Sequence, residues 1–417
     1  MVREQRNSRP GRKNGSRPAT QRRALAHVNS RAGPRRRAGD PRVAAVLVEA
    51  FDACKRVDPN TLTHGFHSYP AHMHPGIART LMQARVGAFE HVLDPFCGSG
   101  TVCVEAMASG HSCIGVDLNP LAIRIAAVRT ELRNERERTR FVGALERVAE
   151  ASHARARARV RTMAAIPASE VSWYAPHVLR ELAGLWDEIA TVEQQQDRRG
   201  LEIVFSAMLI KFSRQRADTS EDRVDKHVPR GRASQFFLAK GRELIDRWKA
   251  LEHAAPRTSP PLRLIEGDAL QLPALLRAQA GNIDLVVTSP PYGGTYDYAR
   301  HHARRFAWLG LDVKALRSHE IGSRRKLATD GAMQRWDHEV SAILKATAAV
   351  MAPEGLVVLL LGDARMNSIL VRADEQVARL SSTCGLEIVA TASEARVDWQ
   401  GGAPRREHLI ALKPNAR

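Results

Sequence analysis

The sequence predicts an α/β protein with a doubly wound, mostly parallel sheet of seven strands, interrupted by a helical insertion. Three observations carry this. The short stretch His91-Val92-Leu93 runs into a glycine loop, and the next apolar stretch, Cys113 to Val116, ends on Asp117. A second such run, Ile283 to Val287, stops abruptly in Pro290-Pro291-Tyr292. Finally, Leu356 to Leu361 is apolar without a break, as expected of a central strand covered on both faces.

The 417 residues, 44% hydrophobic and 5% aromatic, suffice for one large domain with insertions or for two domains. A formal net charge of +18 points to a polyanionic partner, because Lys and Arg gain affinity by releasing counterions condensed around phosphates. Nucleic acid is the leading candidate. Residues 1–40 carry twelve Arg or Lys against Glu4 and Asp40, so ten of the eighteen net charges lie there. That stretch of Arg, Gly, Pro and Ser is expected to be a disordered tail, with the body beginning at residue 41.

Five cysteines, without a C-x-x-C pair or zinc-ligand spacing, indicate a reduced protein with no structural metal. No apolar run approaches the roughly 20 residues that cross a bilayer, and the N-terminus has no apolar core like that of a secretion signal. The expected location is cytoplasmic, at the nucleoid through DNA binding.

In chain order, a helix is predicted from Arg42 to Ala53 and another from Gly76 to Arg85. Between them lie His67, His72 and His74; with no Cys or carboxylate companion, a metal reading is set aside. The strongest local unit follows: strand 91–93, loop Asp94-Pro95-Phe96-Cys97-Gly98-Ser99-Gly100-Thr101, helix Val102 to Ser109 and strand 113–117. Gly98 and Gly100 allow close backbone approach, and Asp117 is placed to accept both hydroxyls of a ribose, so the ligand is a nucleoside. Cys103 stands where a dinucleotide fingerprint needs its third glycine. Asp94 would repel a pyrophosphate but suits the cationic amino and sulfonium groups of S-adenosylmethionine.

Residues 130–255 break the strand–helix rhythm for too long to be a loop and are expected to be a helical insertion. Glu131 to Arg161 is highly charged with few large apolar residues, and Arg155, Arg157, Arg159 and Arg161 read as a solvated segment; Val178, Leu182, Leu185, Trp186 and Ile189 recur at helical spacing, and Leu201 to Phe212 reads as a buried helix. Lys211, Arg214, Arg216, Arg223, Lys226, Arg230 and Arg232 form the main basic cluster of the body and are candidate DNA contacts.

The rhythm resumes at residues 256–417. Strand Leu262 to Asp268 places Asp268 to bond an exocyclic adenine amine, or to cap a helix predicted over 270–280. Strand 283–287 leads into Thr288-Ser289-Pro290-Pro291-Tyr292, where two prolines hold carbonyls outward beside a ring. Thr295-Tyr296-Asp297-Tyr298, a helix over 300–309 and the basic Ile321-Gly322-Ser323-Arg324-Arg325-Lys326 follow. A helix over 336–351, strand 356–363, a helix over 371–384 and strands 386–391 and 407–412 complete the pattern, with no further domain expected after them.

The glycine loop 94–101 and Thr288 to Tyr292 together resemble the cofactor loop and catalytic motif of amino-methylating DNA methyltransferases. Phe66 to Pro75 resembles that family's extra cofactor-side segment, and Asp297-Tyr298 and Ile321-Gly322-Ser323-Arg324 resemble stretches of a subgroup of it. The likeness implies a Rossmann-like class I fold and S-adenosylmethionine bound by Asp94, Phe96, Gly98, Ser99, Gly100, Thr101, Asp117 and Asp268. It implies catalysis by Ser289, Pro290, Pro291 and Tyr292, with the Ser289 hydroxyl and Pro290 carbonyl gripping the target amine and Tyr292 stacking on a flipped base. Arg324 and Arg325 join the candidate DNA contacts. The Thr-Ser-Pro-Pro-Tyr form resembles mostly the cytosine-N4 branch. Adenine-N6 methylation of DNA, RNA amino-methylation and a catalytically silent nucleic-acid-binding module are the alternatives. A companion restriction endonuclease is a further implied partner. The position of the insertion, between the second and third strands, departs from the family pattern.

Overall fold

A computed structural model describes residues 35–415 apart from 71, 85–89, 159, 161–165, 221, 259–260, 295–296, 324–326, 328–329, 367–368 and 397–404. Thr295, Tyr296, Arg324 and Arg325 therefore lie outside the described residues.

The chain begins with β1 (Arg36–Gly39) and α1 (Pro41–Arg56). The Asp40 carboxylate accepts from the Arg42 and Val43 amides, and Pro41 occupies the first turn, so the start of α1 is specified locally. Next come α2 (Pro75–Gln83), β2 (His91–Asp94), α3 (Thr101–Ser109), β3 (Ser112–Asp117) and α4 (Pro120–Arg129). The insertion supplies α5 (Glu135–Ala158), α6 (Ala168–Val171), α7 (Pro176–Ala190), α8 (Gln195–Phe212) and α9 (Arg232–Ala254). Then follow β4 (Leu262–Glu266), α10 (Leu272–Leu275), β5 (Ile283–Thr288), α11 (Tyr298–His301), α12 (Ala303–Leu309), α13 (Lys314–His319) and α14 (Ala332–Ala348). The end of the chain holds β6 (Met351–Gly362), a small hairpin of β7 (Ala364–Met366) and β8 (Ile369–Val371), α15 (Ala373–Ser381), β9 (Leu386–Arg396) and β10 (Arg405–Pro414).

The main sheet has the order β1-β9-β10-β6-β5-β2-β3-β4, parallel from β6 to β4 and antiparallel through β10, β9 and β1. Alternation along β5 and β6 divides the core. Leu285, Val287, Val358 and Leu360 face α1, α2 and α3, whereas Val286, Val357 and Leu359 face α14 and α15. The sheet therefore has eight strands, not seven. The extra one is Arg36–Gly39, placed by the sequence in a disordered tail; it pairs with β9, and Arg35 is held by Asp52 and Glu394. Two helices are also more broken than expected. The 270–280 stretch is a short helix between two tight turns, and that over 300–309 is interrupted at His302.

The insertion is helical, and its core is continuous with the rest. Phe141, Leu182, Phe205 and Trp248 pack with Leu121 and Ile125 of α4 and with Phe306 and Trp308 of α12. At its centre the fully buried Arg133 guanidinium lies 4.0 Å from the Trp248 ring centroid and 5.0 Å from that of Phe141. Asp197 and Glu131, each 2.7 Å away, neutralise it. The highly charged stretch from Glu131 is mostly α5, with a buried face of Phe141, Ala144, Leu145 and Val148, and Arg159 and Arg161 lie outside the described residues. Arg155 pairs with Asp187 and Glu188 rather than with solvent alone. All five cysteines are buried and free, and no helix among the described residues is long and apolar enough to cross a membrane.

Candidate active site

Open parallel sheets bind ligands beyond the carboxyl ends of their strands, and this one has a cleft there. It is bounded by Asp94 at the end of β2, Asp117 at the end of β3, Asp268 after β4, and Ser289 and Pro291 after β5. The two motifs recognised in the sequence therefore open into one cavity. Phe96, Gly98 and Thr101 also line it; Ser99 and Gly100 do not.

Those two residues build the loop from behind. Gly100 adopts φ 82°, and a Cβ there would come within 2.9 Å of the Ala126 side chain, so α3 can start against α4 only from glycine. The buried Arg129 donates to the Ser99 carbonyl at 2.7 Å and to its hydroxyl at 2.5 Å. Its other terminal nitrogen donates to His64 Nδ1 at 2.8 Å, and His64 Nε2 donates to Glu105 at 2.7 Å. Burial lowers the His64 pKa to about 4, which keeps the ring neutral and in the tautomer these partners need. Glu105 is completed by Arg79.

Asp117 holds the loop from the front. Its Oδ2 accepts from Gly98 N and its Oδ1 from Asn119 N, both at 2.8 Å. Burial raises its pKa to about 6, while those two amides pull the other way. Asp94 Oδ1 accepts from the Thr288 hydroxyl at 2.7 Å and from Phe96 N at 3.1 Å, and burial raises its carboxyl well above the usual range. Asp268 caps the turn after β4 by accepting from Leu270 N, so its capping role coexists with its place in the cavity.

Sequence reading did not anticipate Tyr69, Met73, Asn119, Tyr298 and Glu320 as lining residues. The Tyr69 ring stacks at 6.0 Å on Tyr298 and at 5.0 Å on His302, forming one wall, with its hydroxyl 3.2 Å from the Asn119 amide. The segment containing Tyr69 and Met73 and the pair Asp297-Tyr298 carried a signal, through the family likeness. Glu320 follows a short helix with no motif of its own.

In Thr288 to Tyr292, the Ser289 hydroxyl is buried and has no hydrogen-bond partner among the described residues. The Thr101 hydroxyl is in the same state, so the cavity wall holds two unmet hydroxyls. Pro290 is buried outside the lining. Tyr292 is buried as well; its hydroxyl donates to Glu407 at 2.8 Å, and its ring covers Gly362 so closely that a Cβ there would lie 2.5 Å away.

The three histidines do not come together as ligands. His67 bonds Ser206, His74 caps α2 through Gly76 N, and His72 bonds the Met73 carbonyl at the cavity. The basic cluster also divides. Lys226 is half-buried and donates to the Ile210 and Gln215 carbonyls, and Lys211 lies over the Phe236 ring. Arg214 faces Asp225 and Arg216 faces Asp222, both at the surface. Arg223 and Arg304 lie 4.0 and 3.9 Å from the Trp173 ring, and Arg230 and Arg232 are at least partly open to solvent.

Residues 51–128 match the profile of a family described as DNA methylase. Over 271 residues the chain is 25% identical to the type II methyltransferase M.MvaI of Kocuria varians, covering 60% of this chain and 58% of the relative. It is 26% identical over 263 residues to M.AvaI of Nostoc, covering 55% and 51%. The chain thus spans little more than half the length of these relatives. Among solved structures, the rRNA methyltransferase aviRa of Streptomyces viridochromogenes aligns with 86% of this chain and 94% of its own at 15% identity, with a TM-score of 0.34.

Proposed function

We propose that this chain, a member of the amino-methylating DNA methyltransferase family, methylates the exocyclic amine of a base in DNA at a specific site, most readily cytosine N4. The observation that carries the reading is that Ser289 and Pro291 share one cavity with the glycine loop and Asp117. The cofactor is S-adenosylmethionine, which supplies an activated methyl group when bound.

The residues present fit that cofactor. Among the described residues the lining contains the carboxyl groups of Asp94, Asp117, Asp268 and Glu320 and no Lys or Arg, a field suited to a cation and hostile to a pyrophosphate. Asp117 is placed to hold ribose hydroxyls, Asp268 and Phe96 an adenine, and Thr101 has a hydroxyl to offer. Beyond this half lies the amine grip. A base amine is a poor nucleophile because its lone pair is delocalised into the ring. Acceptors for its N–H bonds favour a pyramidal nitrogen, and the unmet Ser289 hydroxyl is available for that. The Pro290 carbonyl is the second acceptor of this reading. The gain comes from positioning rather than from strong base catalysis.

A base inside a duplex cannot reach such a cavity and must be extruded. Tyr298 and Tyr69, stacked on each other, both line the cavity; for Tyr292 to stack on a base, its ring must leave Gly362 and Glu407. Arg216, Arg223 and Arg230 are the surface cations of the insertion suited to phosphates, whereas Lys226 serves as an internal brace. Serine as the first residue of the Pro-Pro-Tyr tetrapeptide favours cytosine over adenine.

The test is to incubate the protein with unmethylated DNA and tritiated S-adenosylmethionine, then identify modified nucleosides by mass spectrometry. N4-methylcytosine is expected; N6-methyladenine would correct the base, and no label in DNA would overturn the reading. Protection of the same DNA from a restriction enzyme encoded beside it would extend the role to restriction–modification.

A further inference from the structure

We infer that Glu320 receives the proton released by the target nitrogen, a role that rests on the function proposed above. Glu320 directly follows α13 and is 5% exposed, yet it forms part of the cavity wall with Ser289 and Pro291. Its Oε1 accepts from Tyr298 N at 2.6 Å, which fixes the carboxyl group. The following residues tie it to the catalytic turn. Gly294 N donates to the Gly322 carbonyl at 3.0 Å, and a Cβ on Gly322 would touch Pro291 at 3.5 Å.

The chemistry requires such a group. As the nitrogen–carbon bond forms, the carbon–sulfur bond breaks and its electron pair stays on sulfur. The nitrogen is left cationic and must shed one proton. A serine hydroxyl or a peptide carbonyl cannot keep it. All four carboxyl groups of the cavity accept hydrogen bonds, Asp94 from Thr288, Asp117 from two loop amides, Asp268 from its cap and Glu320 from Tyr298 N. Glu320 alone among these four lies on the segment packed against Pro291. It takes the N–H proton, leaving a neutral methylated amine, and returns the proton to solvent in the next opening of the site.

The surroundings set its affinity for that proton. The charged and titratable groups on elements packed around it are Asp297 and Tyr298 at α11, Asp94 and Asp268 at the strand ends, and His319 on α13. Glu339 on α14 accepts from Gly322 N. Burial first, and the neighbouring Asp297 after it, raise the Glu320 carboxyl to about 7 against the pull of the Tyr298 amide. A group with that affinity can both gain and release a proton near neutral pH. His72 is unsuited, since burial lowers it to about 3.

The test uses the full chain, S-adenosylmethionine and unmethylated DNA of mixed sequence under single-turnover conditions. Glu320→Gln keeps an acceptor for Tyr298 N and should fold. It is expected to slow methyl transfer about 100-fold while leaving the calorimetric Kd for S-adenosylmethionine within about twofold, and Glu320→Asp should recover part of the rate. The wild-type rate should rise with pH through an inflection near 7 that the Gln variant lacks. Independently of turnover, 13C NMR of glutamate-labelled protein should show two carboxyls titrating near 7, that of Glu170, which burial also raises to about 7, and one that Glu320→Gln removes. A Gln variant with wild-type rate, or one that keeps the inflection, overturns the inference. So does a tenfold weaker Kd, which would make Glu320 a cofactor ligand, or loss of the inflection in His319→Gln. Absence of any transfer by the wild-type protein overturns the functional reading itself, which the variants alone cannot do.

Discussion

The Thr288 hydroxyl donates to Asp94 Oδ1 over 2.7 Å between two buried side chains at the ends of the neighbouring strands β5 and β2. It joins the first residue of the Thr288-to-Tyr292 turn to the first residue of the glycine loop, 194 positions apart. The two halves of the site therefore do not float on separate loops. Parallel pairing of Val92 with Leu285 and Leu93 with Val286 sets their register, and this hydrogen bond closes it.

Replacing Thr288 by Val keeps the shape and removes the donor. The Asp94 carboxyl then retains the Phe96 amide but loses its hydroxyl partner in a buried setting, at a cost of about 1–3 kcal/mol. Urea unfolding should show that loss, accompanied by weaker binding of S-adenosylmethionine as the loop loosens. Stability equal to wild type would mean that the bond contributes nothing net.

Asp117 gives the site a pH dependence of its own. Hydroxyl groups of a ribose bond the carboxylate better than the acid, so binding lowers the carboxyl pKa from its value of about 6 in the free protein. By linkage, affinity should be constant above that value and fall by up to tenfold per pH unit below it. Calorimetry with S-adenosylmethionine between pH 5 and 8 checks the sign, and Asp117→Asn should flatten the profile.

Ser289 and Tyr292 should separate cleanly. Ser289→Ala removes a hydroxyl with no internal partner among the described residues, so the fold should be unaffected and cofactor binding preserved while methyl transfer falls. Tyr292→Ala empties a buried site against Gly362 and should cost about 3–5 kcal/mol in thermal or urea unfolding. Tyr292→Phe is the informative change. Loss of transfer in a stable Phe variant would assign the function to the hydroxyl held by Glu407, whereas retained transfer assigns it to the ring.

Much of this arrangement was legible because it obeys local rules. The glycine loop, Asp117 and the proline turn all lie at strand ends, where short-range patterning is strongest. Residues 36–39 were not legible, since four exposed residues of Arg-Arg-Ala-Gly become a strand only by pairing with β9, more than 350 positions away. Arg155, read as solvated, misled for a related reason: the narrow apolar face of α5 packs against α7 and α9, and this brings Arg155 to Asp187 and Glu188 of α7. Tyr298 and Glu320 reach the cavity through tertiary packing of short helices that no period announces.

The insertion is tied to both halves of the site through Asp218. The Ser68 hydroxyl, on the cofactor-side segment, donates to its Oδ2 at 2.5 Å, and Arg305 of α12, fully buried, donates to its Oδ1. Burial raises the Asp218 carboxyl pKa, but Arg305 and Ser68 outweigh it and hold the group below the ordinary value. A depressed carboxyl contributes stability that is present above about pH 4, the unfolded value, and lost as pH falls through the folded one. Wild-type protein should therefore lose stability in acid more steeply than Asp218→Asn. At neutral pH the Asn variant should be weaker by about 3–5 kcal/mol, because it leaves the buried Arg305 charge without its carboxylate. Urea midpoints at pH 7 and pH 3 test both statements, and parallel curves for the two proteins would show that Asp218 does not carry the coupling.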